Sequence, residues 1–375
     1  MKILLLWDYY DSYLRNFYDV HPIVVGKSYR DQLQLLLDDF FGWPPYLIPE
    51  LRNLGHEVEI IVGNALPLQM TWARENGVSI AIQDWPLVVV KEQIRRYRPD
   101  VLFIGGADQY LGGFLRQIRE YCRFVVAWKA VAVSANFDWS NVDLVLSSHT
   151  VFIEKFRALG LPSELLLPCF DQRILKNLED CTPNIELCFV GSLSTVQFRR
   201  RMELLSYMQR RIPIQIYSEK MSWRRRPWPI GVFIKQLHLL PFLLRTRPNP
   251  AVFGIEMFSV LNRSKIALNA HVESAQGLAG NIRMFEATGV GALLLTENAN
   301  NLAAIFHPDT EVVTYNSPAE AVEKAKYYLT HELERVSVAK AGQARTLREH
   351  NSRERALELD QILRRLAIGY IHQPS

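Results

Sequence analysis

No Asp-x-Asp motif occurs anywhere in the chain. One common paired-carboxylate cradle for a divalent cation is therefore missing. Cysteine is scarce, with Cys122, Cys169, Cys181 and Cys188 the only four. They form no Cys-x-x-Cys pair and have no histidine at zinc-ligand spacing, so a zinc ribbon or a disulfide scaffold is excluded. They read as small buried apolar residues in a reducing compartment. No apolar run approaches the roughly 18 residues of a membrane span. The first residues, MKILLLWDYYDS, lack a cleavage-like site and read as a first strand rather than a signal peptide. Charge of either sign is modest too, a net +4 from 43 basic and 39 acidic residues. That argues against a dedicated nucleic-acid binder, although Arg199–Arg201 and Arg224–Arg226 are local basic clusters. No short-period repeat or low-complexity tract appears. The expected compartment is the cytoplasm.

What is present is an ordinary soluble composition, 49% hydrophobic and 22% charged. A chain of 375 residues exceeds one ordinary core and divides most simply into two domains of similar size. Short apolar runs alternate with helical periodicity, the pattern of stacked βα units on parallel sheets. In the first half the predicted strands are 2–7, 57–62, 100–105, 123–128 and 142–147, with ELLLP (164–168) closing it. Gly55 follows the helical stretch 46–55 where a C-terminal glycine belongs. Residues 169–184 lack a core pattern and read as a linker. The second half restarts with IELCFVGS (185–192), a helix over 195–211, and strands at 213–217, 265–270, 291–296 and 311–316. The Ser-Pro-x-Glu at 317–320 is a helix-start signal that opens a run of C-terminal helices. The predicted fold is α/β, two Rossmann-like domains at 1–168 and 185–350 facing a central cleft. A helical tail at 351–375 follows and is expected to return to the N-terminal domain.

The stretch GNIRMFEATGVGALLLTE (280–297) carries the densest chemistry. A helix start offers unpaired N–H groups and a partial positive charge, which suits phosphate. The preceding Gly277-Leu-Ala-Gly280 is slim enough for backbone to approach a ligand. Asn281 and Arg283 add donors, and Arg283 opposes the helix dipole there, a cost relieved by an anion opposite. Glu286 shares a face with Arg283 and fits the two hydroxyls of a ribose. The alternative is a plain Arg–Glu helix pair. Asn269 and His271 point the same way at the end of the preceding strand, where open α/β sheets bind ligands. Gly191-Ser192 forms a second βα turn able to admit a phosphate, while Arg199 and Arg200 read as a solvated basic face.

Residues 253–306, FGIEMFSVLNRSKIALNAHVESAQGLAGNIRMFEATGVGALLLTENANNLAAIF, resemble the donor half of bacterial glycosyltransferases of the GT-B fold, in the CgeB-like branch. The similarity extends through DTEVVTYNSPAEAVEKAKYYL (309–329), with support from 28–45 and 64–77. The resemblance implies that Glu286 holds the nucleotide ribose. It places Gly280, Asn281 and Arg283 beside the donor diphosphate, with Gly191 and Ser192 closing over it. The chain departs from the retaining pattern of two glutamates eight positions apart, because Leu278 stands where the first belongs. His271 and Glu273 are nearby substitutes, and the choice between inverting and retaining stays open.

The resemblance implies a metal-independent enzyme without a cofactor. Arg283, the helix start and Ser192 would stabilise the leaving diphosphate. Its expected partners are a nucleotide-sugar donor and a glycan or lipid-linked acceptor in surface polysaccharide synthesis. Asp8, His21 and Asp108 are the candidate bases for the acceptor hydroxyl, from the loops Asp8-Tyr9-Tyr10, His21-Pro22 and Gly105–Asp108, with His149 in a further loop. The insert 223–245, with three arginines, two tryptophans and an apolar stretch, suits peripheral contact at the inner face of a membrane, or else a buried lid. A nucleotide-sugar epimerase and a non-catalytic nucleotide-sugar-binding protein are the competing functions.

Overall fold

The computed structural model describes residues 1–81, 83–106, 108–131, 134, 136–193, 198–219 and 248–371. The insert at 223–245 therefore lies outside the described residues. The chain divides into two compact units, one of residues 1–171 with 352–375 and one of residues 172–351.

The first unit is built on six parallel strands: β1 (Lys2–Trp7), β2 (Glu57–Val62), β3 (Val101–Gly105), β4 (Phe124–Trp128), β5 (Leu144–Ser147) and β6 (Ser163–Leu165). Their order is β2-β1-β3-β4-β5-β6. The central strands are continuous apolar runs because helices cover both faces of a parallel sheet. Those helices are α1 (Asp11–Val20), α2 (Tyr29–Asp38), α3 (Leu47–Asn53), α4 (Leu66–Glu75), α5 (Trp85–Tyr97), α6 (Gly113–Ile118) and α7 (Thr150–Ala158). Local capping groups set the helix ends. Ser28 caps α2 by accepting the Asp31 N–H at 3.2 Å, and Gly55 takes a φ of 83° just past α3.

The second unit carries β7 (Ile185–Val190), β8 (Gln215–Tyr217), β9 (Ser264–Asn269), β10 (Leu293–Glu297) and β11 (Val313–Tyr315). All are parallel, in the order β11-β10-β9-β7-β8. Its helices are α8 (Arg199–Gln209), α9 (Gly254–Asn262), α10 (Arg283–Gly289), α11 (Pro318–Thr330) and α12 (Glu332–Glu349). The helix-start signal is realised, with Ser317 accepting the Glu320 N–H at 3.2 Å and Pro318 opening α11.

The final helix, α13 (Ser352–Ile371), belongs to the first unit and packs on α3. Its Asp360 accepts from the buried His56 ring at 2.8 Å. One sequence reading needs correction here. Residues 169–184 are not bare linker, because Cys169, Phe170 and Ile174 are fully buried. A single Cys-Phe pair is too short to register as a periodic pattern, yet it fills the core where the chain leaves the first unit.

Candidate functional site

In an open parallel sheet, ligands bind outside the C-terminal strand ends where the winding direction reverses. The strand orders put that reversal between β1 and β3 in the first unit and between β7 and β9 in the second. Each reversal is where polar side chains gather.

In the first unit, Asp8 follows β1 directly and Gln109 follows β3, and Gln109 donates to Asp8 Oδ2 at 2.9 Å. Asp8 Oδ1 is buried with no hydrogen-bond partner, as is the hydroxyl of fully buried Tyr110. Both press on Gly63 at the end of β2, where an added Cβ would lie 2.8 Å from Asp8 Oδ1 and 2.4 Å from the Tyr110 hydroxyl. Only glycine leaves room for that approach. Burial raises the Asp8 carboxyl to about 6, against the opposing hydrogen bond from Gln109. A carboxylate tuned to that range can take a proton near neutral pH. Further along the edge, Lys129 follows β4, is buried, and pairs with the exposed Asp108. Burial lowers the Lys129 ammonium to about 8. His149 is also buried, with Nδ1 2.9 Å from the Ser148 hydroxyl and its ring stacked on Phe152.

His21 does not join this group. It is exposed at the far end of α1, ten residues of helix beyond the sheet edge, which is about 15 Å of rise. Closeness to β1 along the chain suggested it, but α1 carries it away from Asp8.

In the second unit, the reversal is spanned by Arg201. Its guanidinium donates to the Ser192 carbonyl at 3.0 Å, after β7, and to the Ala270 carbonyl at 3.1 Å, after β9. The group is buried over the Phe198 ring, with its carbon 4.1 Å from the centroid, and burial lowers it to about 10. Gly191 and Ser192 are thus held from below by a cation. Arg199 and Arg200 are exposed as the sequence implies, with Arg199 paired to Glu203 at 2.9 Å. Glu273 accepts the Arg200 N–H at 2.6 Å, so its carboxylate caps the start of α8.

Beyond β9, Asn269, His271 and Asn281 meet. Asn281 donates to Asn269 Oδ1 at 2.6 Å, and its own oxygen lies 3.2 Å from His271 Nδ1. The loop Gly277–Gly280 is pinned by Asn301, which accepts the Ala279 N–H at 2.7 Å and donates to the Ala279 carbonyl at 2.9 Å. It turns through left-handed Gln276 and Gly277, at φ 53° and 81°. Helix α10 that follows has only seven residues. Arg283, at its first position, lies 2.7 Å from Glu286 Oε2 and donates to Met257 Sδ at 2.8 Å. Glu286 is 4% exposed, and burial raises its carboxyl against the Arg283 charge. The contact is an ion pair without an aligned hydrogen bond, since Glu286 Oε2 and Arg283 Nε both lack a partner. Buried polar atoms left unsatisfied in this way call for an explanation, and a bound ligand is one.

Every donor-side residue named from the sequence therefore lies at one sheet edge: Gly191, Ser192, Asn269, His271, Gly280, Asn281, Arg283 and Glu286. Sequence reasoning missed Arg201 and Lys129. Arg201 sits at helical spacing with buried Leu204, Leu205 and Met208, so a charge on the apolar face of α8 was the available signal. Among the described residues, no group of three or more His, Cys, Asp or Glu is placed to hold a metal ion. No helix among them is long and apolar enough to cross a membrane.

Residues 199–361 match the family model described as glycosyl transferase-like. Comparison with curated protein sequences returns no match. The fold is shared with solved structures along the whole chain. The Anabaena HepE protein, in complex with UDP-glucose, is 12% identical with a TM-score of 0.60, covering 97% of this chain and 99% of its own. A sucrose-phosphate synthase from Thermosynechococcus elongatus is 14% identical with a TM-score of 0.56, over 98% and 100%. A glycosyltransferase from Rickettsia africae is 10% identical with a TM-score of 0.58, over 98% and 99%. The chain has the GT-B fold, and the match to the glycosyl transferase-like model covers most of the second unit and the first half of α13.

Proposed function

We propose that the protein transfers a sugar from a nucleotide-diphosphate donor to a hydroxyl of a glycan or lipid-linked acceptor, within the CgeB-like branch and in surface polysaccharide synthesis. The observation that carries this reading is the buried Arg283–Glu286 pair on the α10 face, 2.7 Å apart and incompletely bonded, beside the β7/β9 reversal. Structural neighbours whose complexes contain UDP-glucose support a nucleotide-sugar donor.

In this reading Glu286 receives the ribose hydroxyls and Arg283 stabilises the charge that develops on the leaving diphosphate. Arg201 keeps the Ser192 and Ala270 turns in register beneath it. Asp8 accepts the proton of the acceptor hydroxyl on Oδ2, which Gln109 orients at 2.9 Å, while Oδ1 stays buried. Asp108 is tied to Lys129 and serves that edge as a charge partner.

Because the chain contains no Asp-x-Asp motif, fixed cations replace a metal in this proposal. Transfer is therefore expected to persist in excess EDTA. Activity that vanishes with chelator and returns with Mn²⁺ or Mg²⁺ would refute metal independence. A thermal-shift screen of nucleoside diphosphates identifies the base, since a ligand at 100 times its Kd adds about 2.7 kcal/mol of stability.

A further inference from the structure

Four side chains at the ends of β9 and β10 and on the segment between them form one hydrogen-bonded network whose two amides face a definite way. His271 Nε2 lies 2.9 Å from the Glu297 carbonyl oxygen, which can only accept, so Nε2 carries a hydrogen. His271 Nδ1 faces Asn281 Oδ1 at 3.2 Å. Asn281 Nδ2 donates to Asn269 Oδ1 at 2.6 Å, while Asn269 Nδ2 donates back to Asn281 Oδ1 at 3.3 Å and on to Thr296 Oγ1 at 2.9 Å. Thr296 in turn donates to the Glu297 carbonyl at 3.4 Å. Read in that direction, Nδ1 must also carry a hydrogen, and His271 is an imidazolium.

The same atoms support the opposite direction. Amide oxygen and nitrogen are nearly interchangeable in shape, so Asn281 and Asn269 can each turn over. A neutral His271 with bare Nδ1 then accepts from Asn281, Asn281 accepts from Asn269, and Asn269 accepts from the Thr296 hydroxyl. The links between the four side chains are complete in both states, and the two states differ by one proton on His271. Burial holds His271 below its ordinary range, which favours the neutral direction in the free protein. The charges facing the ring are Glu297 at the end of β10, whose carboxylate accepts the His271 backbone N–H at 3.3 Å, and Arg201 from α8. Tyr315 on β11 donates to the Asn269 carbonyl at 2.7 Å, while Glu273 and Arg283 act on Arg201 in the same group.

We propose that His271 is a positioning residue whose protonation reverses the Asn281 and Asn269 amides, so that a nucleoside diphosphate binds this edge with uptake of a proton. The inference rests on the donor reading above. An anion opposite Asn281 and Arg283 raises the proton affinity of the ring, and the amide chain follows. Affinity should then rise about tenfold per pH unit as pH falls between the free and bound proton affinities of His271.

The test uses UDP and the whole protein, with the histidines ¹⁵N-labelled. In the free protein His271 is expected as the neutral tautomer with hydrogen on Nε2, and saturating UDP should convert it to the charged ring at neutral pH. Calorimetry in buffers of different ionisation enthalpy should show proton uptake. Asn281→Asp fixes an acceptor beside Nδ1, so it should hold His271 charged without UDP and abolish the uptake. A free protein with hydrogen on Nδ1 of a neutral ring overturns the reversible chain. UDP binding without proton uptake overturns the coupling. Absence of UDP binding overturns the coupling through the donor reading, and the tautomer measurement on free protein shows separately whether the chain exists.

Discussion

Arg283→Met is expected to lower kcat/KM for transfer by about 100-fold, the scale for losing one preorganised stabiliser of a developing anion. The same substitution should destabilise the fold by about 3–5 kcal/mol, because it leaves the nearly sealed Glu286 carboxylate without its partner. The double replacement Arg283→Met with Glu286→Gln separates the two effects. It removes the stranded charge, so most of the stability should return while activity stays low. Activity restored along with stability would mean that the pair only holds α10 in place.

Asp8→Asn is expected to reduce turnover by roughly 10²- to 10⁴-fold, the contribution of a positioned general base. Stability should move the other way. The Asp8 carboxyl is raised to about 6 in the folded protein, against 3.8 for an unperturbed one. Between those values the folded state holds more protons than the unfolded one, so stability falls as pH rises through that window. Above it the ionised form carries a penalty of about 3 kcal/mol, and Asp8→Asn should recover much of it. Urea unfolding of both proteins at pH 5 and pH 8 measures this directly: the advantage of the variant should be larger at pH 8. Undiminished turnover in the folded variant would assign the acceptor proton to another group.

The strands were legible because a parallel sheet covered on both faces writes each strand as one apolar run, as KILLLW and IELCFV do. The polar cluster at the β7/β9 reversal was legible for a related reason. Asn269, His271 and Asn281 lie at a strand end and on the next turn, where geometry is local. What escaped depended on contacts distant in sequence. Arg201 looked like one of three arginines in a row, and its burial follows from carbonyls at Ser192 and Ala270 that only the folded sheet brings together. Glu273, offered with His271 as a substitute for the missing glutamate, caps α8 through a bond spanning 73 residues. His21 was misplaced because adjacency to β1 ignores the length of α1. The buried Phe170 and the seating of α13 on α3 are likewise tertiary facts without a periodic trace.

Calorimetric titration with nucleoside diphosphates, for the wild type and a folded Glu286→Gln variant, tests the donor edge most directly. Saturable binding is expected for the wild type, at least tenfold weaker in the variant through loss of a charge-assisted hydrogen bond to the ribose. Equal affinity in both proteins, or no saturable binding of any nucleoside diphosphate, would contradict a donor site built on α10.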